Sequence, residues 1–257
     1  MSRYSGQTTG PRALILAAGV GVRLHDGRPN GEELPKALLR FGGRSLLERH
    51  LAILRSAGVS DISIVVGYRE ETIRKEVHAN GGESPHLIVN RDFEKGSIVS
   101  LLAGREVLEG GTPVILMDAD VLYDARLLSR LLHTDKPNCL LLDREIDPGE
   151  EPVKLCVSKG QIVDFHKQPK VPHDWHGESV GFFRFTPDVA AELAERARAY
   201  VELGKTGLEY EEPIRDMIVA GPPERFGFED ISGLPWTEID FPEDVVKARG
   251  LLPLLTR

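Results

Sequence analysis

The chain has 257 residues, a formal net charge of −8, and 41% hydrophobic, 28% charged and 6% aromatic residues. That length fits one large domain or two small ones, and that balance excludes disordered, collagen-like and coiled-coil classes. The absence of a basic run argues against nucleic acid. The absence of long apolar stretches argues against membrane insertion. Two cysteines, Cys139 and Cys156, are too few for a disulfide framework or a zinc site.

The first ten residues, MSRYSGQTTG, are polar and predict a loose arm. They lack a signal-peptide core, so a cytoplasmic protein is expected. Residues 13–18 (ALILAA) form a short apolar run that suits a buried strand. Residues 45–57 carry apolar side chains at helical spacing, and Gly58 closes that helix. Residues 62–66 (ISIVV) predict a second strand, 70–79 a helix and 86–90 a strand. Residues 97–108 predict one helix, and 113–117 (PVILM) another buried strand. Apolar strands alternating with helices predict a mostly parallel sheet covered on both faces.

The second half changes character. Residues 153–157 and 161–166 flank Lys159-Gly160, a hairpin signal. A strand is expected at 179–185 and helices at 187–203 and 209–220. Short extended segments are expected at 226–231 and 236–240, with a closing helix at 242–249. No linker or internal repeat is visible. The expectation is one α/β domain over 11–257 with a small antiparallel, mixed-sheet portion.

Strand one runs into Leu16-Ala17-Ala18-Gly19-Val20-Gly21-Val22-Arg23-Leu24. Glycines after a strand let backbone N–H groups approach a phosphate. A dinucleotide fingerprint needs a third glycine where Leu24 stands, and a Walker loop needs Gly-Lys-Ser/Thr. Leu34-Pro35-Lys36-Ala37-Leu38 follows. Further on, Met117-Asp118-Ala119-Asp120 ends a buried strand, where open α/β sheets bind ligands. Glu238-Ile239-Asp240 adds a second acidic pair with period-two spacing. Hard carboxylate oxygens suit Mg²⁺. The acidic pair could equally belong to a helix cap near Asp124, and the glycines to a simple turn.

In this order the motifs LAAG-x-G-x-R-L, Pro-Lys, an acidic strand end and E-I-D resemble the phosphocholine- and phosphonate-type cytidylyltransferases. That family is a branch of the sugar-nucleotidyltransferase-like NTP transferases. The resemblance runs from Leu14 to Asp244 and implies a Rossmann-like, GT-A-like nucleotidyltransferase domain. It implies a nucleotide half at 11–145, an acceptor side at 146–235 and a returning metal-site segment at 236–250. It further implies that Arg23 and the glycine loop grip the β and γ phosphates of CTP. Lys36 would face the α phosphate, with Asp118 beside the nucleotide. Mg²⁺ would lie on Asp120, Asp240 and Glu238. Ser97 and Ser100 match the segment before the third helix, where Gly96-Ser97 replaces the family's usual asparagine pair. They contact the base or ribose, or act as ordinary caps. Gly67-Tyr68 border the base or make a turn. On the acceptor side the resemblance implies Lys154 for the incoming anion and Glu178, Gly181 and Phe182 for the strand beside it. Trp175 and Phe182 are the candidates for an aromatic contact to a cationic acceptor such as phosphocholine.

Arg23 and Lys36 stand thirteen positions apart, and 26–33 reads as a polar lid between them. The expected reaction transfers CMP from CTP to a phosphonate or phosphorylated alcohol, by a monomer or homodimer. The rival readings are a sugar-1-phosphate or inositol-1-phosphate nucleotidyltransferase, a DxD glycosyltransferase, and a silent nucleotide-binding regulator.

Overall fold

The structure, a computed structural model, describes residues 10–25, 33–79, 83–145 and 151–256. All but Gly10 of the expected arm at 1–10, and all but Glu33 of the expected lid at 26–33, lie outside the described residues. The first half contains β1 (Arg12–Ala17), the short hairpin β2 (Arg40–Phe41) and β3 (Arg44–Ser45), α1 (Leu46–Ser56), β4 (Ile62–Val66), α2 (Glu70–Ala79), β5 (His86–Val89), α3 (Ser97–Ala103), α4 (Arg105–Leu108) and β6 (Val114–Asp118). After it come β7 (Val121–Tyr123), α5 (Ala125–His133), β8 (Cys139–Asp143), β9 (Lys154–Ser158), β10 (Gln161–His166) and β11 (Trp175–Phe185). The chain ends with α6 (Pro187–Glu202), α7 (Glu211–Ala220), β12 (Gly227–Asp230), β13 (Trp236–Glu238) and α8 (Pro242–Leu251).

One mixed sheet carries both halves, in the order β10-β9-β11-β6-β1-β4-β5, with β8 pairing β11 and β12 pairing β8. β1 is parallel to β4 and β6, as the alternation of strands and helices predicts. Its side chains alternate between two cores. Ala13, Ile15 and Ala17 enter one, and Leu14 enters the other. A strand buried on both faces therefore reads as a continuous apolar run.

Local signals explain the helix ends. Ser45 and Glu48 form a reciprocal capping box at the start of α1. The helix expected over 97–108 is two helices. The chain breaks at Gly104, which packs directly on Leu14 of β1. Lys159 and Gly160 both have positive φ in the β9–β10 hairpin, the geometry a tight two-residue turn needs. Five elements went unpredicted: the short strands β2, β3 and β7, together with α5 and β8. α5 is capped by the Asp124 side chain, which accepts from Arg126 N, and β8 is the buried run CLLLD.

β11 does most to shape the cleft. Its first half pairs with β9 and its second half with β6. The register against β8 shifts between Ser179 and Phe183. Gly181 sits in that shift at φ +75°, and a Cβ there would lie 2.2 Å from Asp118 Oδ2. Only glycine admits both that φ and that approach. The carboxylate end of β6 is thereby held against the backbone of β11.

Candidate active site

The acidic residues meet because β13 pairs antiparallel with β7, placing Glu238 opposite Val121. Ile239 N donates to Asp120 O at 3.0 Å. Thr237 and Ile239 point into the core, which turns Glu238 and Asp240 toward the cavity. Carboxylate oxygens of Asp120, Glu238 and Asp240 come within 4.8 Å of one another. From beneath, His50 fixes the strand that leaves Asp120. It is fully buried between Tyr123 and Phe182, and its Nε2 donates to Val121 O at 3.1 Å. Burial lowers its pKa to about 4, only partly offset by the Val121 bond, so the ring stays neutral.

Lys36 enters this cluster from the other side. Its Nζ lies 3.0 Å from Asp120 Oδ2 and 2.5 Å from Asp240 Oδ1. Burial alone would lower the lysine's pKa, but the two carboxylates outweigh it and hold the pKa above the ordinary value. Arg23 spans the mouth of the cleft, bonded to Glu151 Oε2 at 2.5 Å and Asp240 Oδ2 at 3.0 Å. Its guanidinium lies over the Phe241 ring at 5.6 Å. Burial raises the carboxyl pKa of both Asp118 and Glu238, reinforced by neighbouring carboxylates. A divalent cation fits here. The donors are three hard oxygens, and an ammonium already stands between two of them.

The cluster opens into a cavity of about 420 Å³. Leu16, Ala18, Gly19, Val20, Gly21 and Arg23 form one wall, and Ser97, Ser100, Asp118 and Gly181 line the interior. Ser97 Oγ accepts from Tyr210 N at 2.9 Å, and Ser100 Oγ accepts from Asn90 Nδ2 at 3.0 Å. The departure at Gly96 has a reason. A Cβ there would meet Thr206 O at 2.4 Å, so the backbone of 206–208 closes over the start of α3.

Several expected residues stand elsewhere. Ala17 is buried in the core. Gly67 and Tyr68 lie behind the wall, with Tyr68 N bonded to Ala18 O at 3.0 Å. Phe182 is fully buried beside Tyr123 and His50, because the shift at Gly181 turns it into the core. Trp175 packs against Phe228 and beneath the Arg144 guanidinium. Neither aromatic lines the cavity. Lys154 points its Nζ at backbone oxygens, 3.2 Å from Pro152 O and 2.9 Å from Lys167 O. It braces the hairpin, whereas Lys167 reaches the cavity, 2.9 Å from Glu209 and 3.3 Å from Glu151. Glu178 lines a neighbouring cavity of about 990 Å³, which shares Glu151, Glu238 and Asp240 with the first.

The residues that sequence reasoning missed come from 209–211. Tyr210 is buried and donates its hydroxyl to Asp118 Oδ2 at 2.6 Å. Glu209 and Glu211 flank it in the cavity wall. The only signal was the acidic, aromatic start of a helix, which reads as an ordinary solvated cap.

Residues 13–160 match the MobA-like NTP transferase domain. The chain belongs to that family. It is 28% identical over 246 residues to a "Bifunctional IPC transferase and DIPP synthase" of Thermococcus kodakarensis, covering 94% of this chain and 50% of that protein. It is 28% identical over 244 residues to a "CMP-5'-(3-aminopropyl)phosphonate synthase" of Streptomyces rubellomurinus, covering 91% and 37%. The chain thus spans about half the length, or less, of these curated relatives. Among solved structures, the inositol-1-phosphate CTP transferase from T. maritima superimposes with a TM-score of 0.74 at 20% identity. That match covers 98% of this chain and 100% of the other, and shows a shared mixed α/β fold. Among the described residues, no helix is long and apolar enough to cross a membrane.

Proposed function

We propose that the chain is a cytidylyltransferase that moves CMP from CTP to a phosphonate or phosphorylated alcohol and releases pyrophosphate. The observation that carries this reading is Lys36, held between Asp120 and Asp240 at the open end of the glycine loop. A lone DxD site for a nucleotide-sugar has no use for that lysine or for Arg23. Cytidine is favoured by the motif resemblance and by the names of the relatives, one of which makes a CMP-linked aminopropylphosphonate.

In the proposed reaction an oxygen of the acceptor's phosphoryl or phosphonyl group attacks the α phosphorus of CTP. The bond from that phosphorus to the oxygen bridging to the β phosphate breaks, and pyrophosphate departs. The acceptor oxygen is already ionised, so no general base is needed. Lys36 leaves its carboxylates and places its charge on the α phosphate, where negative charge concentrates. Arg23 exchanges Glu151 and Asp240 for the departing phosphates. Asp120, Glu238 and Asp240 would hold Mg²⁺, which would offset charge on the phosphate oxygens. Tyr210 and Gly181 hold Asp118 in place at the cavity wall. Catalysis on this reading is alignment and electrostatics.

The test is a pyrophosphate-release assay with CTP, UTP, ATP and GTP against a panel of phosphomonoesters and phosphonates. CTP should lead with at least one acceptor. A clear preference for another triphosphate would remove the cytidylyl assignment.

A further inference from the structure

One carboxylate at the cavity mouth stands outside the metal cluster and yet holds two of the cleft's cations. Glu151 Oε2 lies 2.5 Å from Arg23 Nη1 and 3.3 Å from Lys167 Nζ, so both pairs share a single oxygen. Arg23 stands at the end of the glycine loop that leaves β1, and Lys167 directly follows β10. Three strands separate β10 from β1 in the sheet, so Glu151 ties distant edges of the cavity together. The chain of charges continues at both ends, from Arg23 to Asp240 at 3.0 Å and from Lys167 to Glu209 at 2.9 Å. The Glu151 side chain is 53% exposed. Among the described residues it alone borders all three cavities around the site, of about 420, 990 and 260 Å³. An oxygen that accepts from a guanidinium and an ammonium takes the place of a phosphate oxygen. Without it, two like charges would face each other across the mouth.

We infer that Glu151 is a placeholder for substrate phosphate. Before substrate arrives it holds Arg23 and Lys167 facing the cavity, and the incoming phosphates must displace it. Glu151 is thus a positioning residue that also competes with the ligand it prepares for. The inference rests on the cytidylyltransferase reading, in which Arg23 goes over to the departing phosphates. Because the two pairs share one oxygen, a single swing of the side chain frees both cations. Because the side chain is exposed, that swing breaks no buried contact. As pyrophosphate departs, the carboxylate takes the cations back and so favours release. Asp120, Glu238 and Asp240 are engaged in the cation cluster and do not serve in this way. An exposed ion pair shifts an equilibrium by up to about fivefold, and two pairs on one oxygen set the size of the effect.

The experiment is calorimetric titration of the parent and of Glu151→Gln with inorganic pyrophosphate in the presence of Mg²⁺, beside steady-state kinetics with CTP. Glu151→Gln should bind pyrophosphate about three- to tenfold more tightly. Its KM for CTP should fall by a similar factor with kcat no higher than the parent's, since the carboxylate opposes bound phosphates in the ground and transition states alike. Glu94→Gln is the control for charge alone. Glu94 is exposed, borders the same cavity and pairs with no cation among the described residues. Its loss should change pyrophosphate affinity by less than about twofold, as screened surface charge does. A second control places Glu151→Gln in an Arg23→Ala/Lys167→Ala background, where the gain should vanish. Unchanged or weaker pyrophosphate binding by Glu151→Gln, an equal gain in Glu94→Gln, or a gain that persists without the two cations overturns the assignment. Tighter pyrophosphate binding by Glu151→Gln, with no pyrophosphate released from any triphosphate, would support the placeholder and remove the transferase reading. Turnover of CTP with pyrophosphate affinity unmoved by Glu151→Gln would do the reverse.

Discussion

Gly181→Ala tests how the cleft is built. The glycine stands at φ +75°, and a Cβ would fall 2.2 Å from Asp118 Oδ2, well inside contact distance. Left-handed backbone in alanine costs about 1–2 kcal/mol. The clash is relieved only if the Asp118 carboxyl moves, and that carboxyl accepts from Tyr210 at 2.6 Å. Losing this bond costs a further 1–3 kcal/mol or so. The loss of stability is then about 2–5 kcal/mol, which for a chain of this size lowers Tm by roughly 4–20 °C. Thermal unfolding reads the total, and a cycle with Asp118→Ala separates its parts. In the Asp118→Ala background the same glycine change should cost only the backbone share. A Tm within a degree of the parent, or an equal cost in both backgrounds, would refute this account of the close approach.

Lys36→Ala should keep the fold and lower turnover by about 100- to 1,000-fold, as loss of one transition-state donor does; near-normal pyrophosphate release would count against its role. Asp240→Asn should raise the Mg²⁺ concentration for half-maximal activity by about tenfold or more, and an unchanged metal titration would remove Asp240 from the site. Lys167→Ala should raise the acceptor's KM, whereas Lys154→Ala should mainly lower Tm by loosening the hairpin; the opposite pattern would restore Lys154 to the acceptor. Glu211 holds its proton to about pH 8 in the folded chain, against an ordinary 4.5. Folding therefore binds that proton more tightly, and this group's share of stability is lost as pH rises from about 4.5 through 8. Glu211→Gln should raise Tm more at pH 8.5 than at pH 5, and an equal shift at both would show that the carboxyl is not perturbed.

The glycine-loop side of the cleft was legible because its signals are local. β1, the glycine turn, Pro35-Lys36 and the strand ending at Asp118 each occupy a few adjacent residues. Period-two spacing also pointed Glu238 and Asp240 one way, although the strand itself stops at Glu238. The β11 side was not legible, because long-range geometry decides it. Whether Phe182 faces ligand or core depends on one register shift at Gly181, and a one-residue slip reverses every side chain. Lys154 and Lys167 stand on one hairpin, and only the fold shows which of them reaches the cavity. Tyr210 meets Asp118 across 92 residues of chain and Ser97 across 113. No spacing rule reaches that far. α5 and β8 were overlooked although their signals are local: Leu127, Leu128 and Leu131 recur at helical spacing behind the Asp124 cap, and CLLLD is a short apolar run.

The charge of −8 looked unfavourable for polyanionic substrates, and the cleft shows how the two are compatible. Every cation that faces it is already bound to carboxylate: Arg23 to Glu151 and Asp240, Lys36 to Asp120 and Asp240, Lys167 to Glu151 and Glu209. The empty site is therefore neutralised from within, and no cation stands bare in the cavity among the described residues. In the proposed reaction the triphosphate draws Arg23 and Lys36 away from their partners. The carboxylates left behind are those that would take Mg²⁺. Nucleotide and metal then favour each other's binding, because each supplies the charge that the other's arrival exposes. On this account the acidic excess is part of the binding chemistry. Glu211 falls outside that exchange, with no cation of the protein bonded to Oε2 among the described residues.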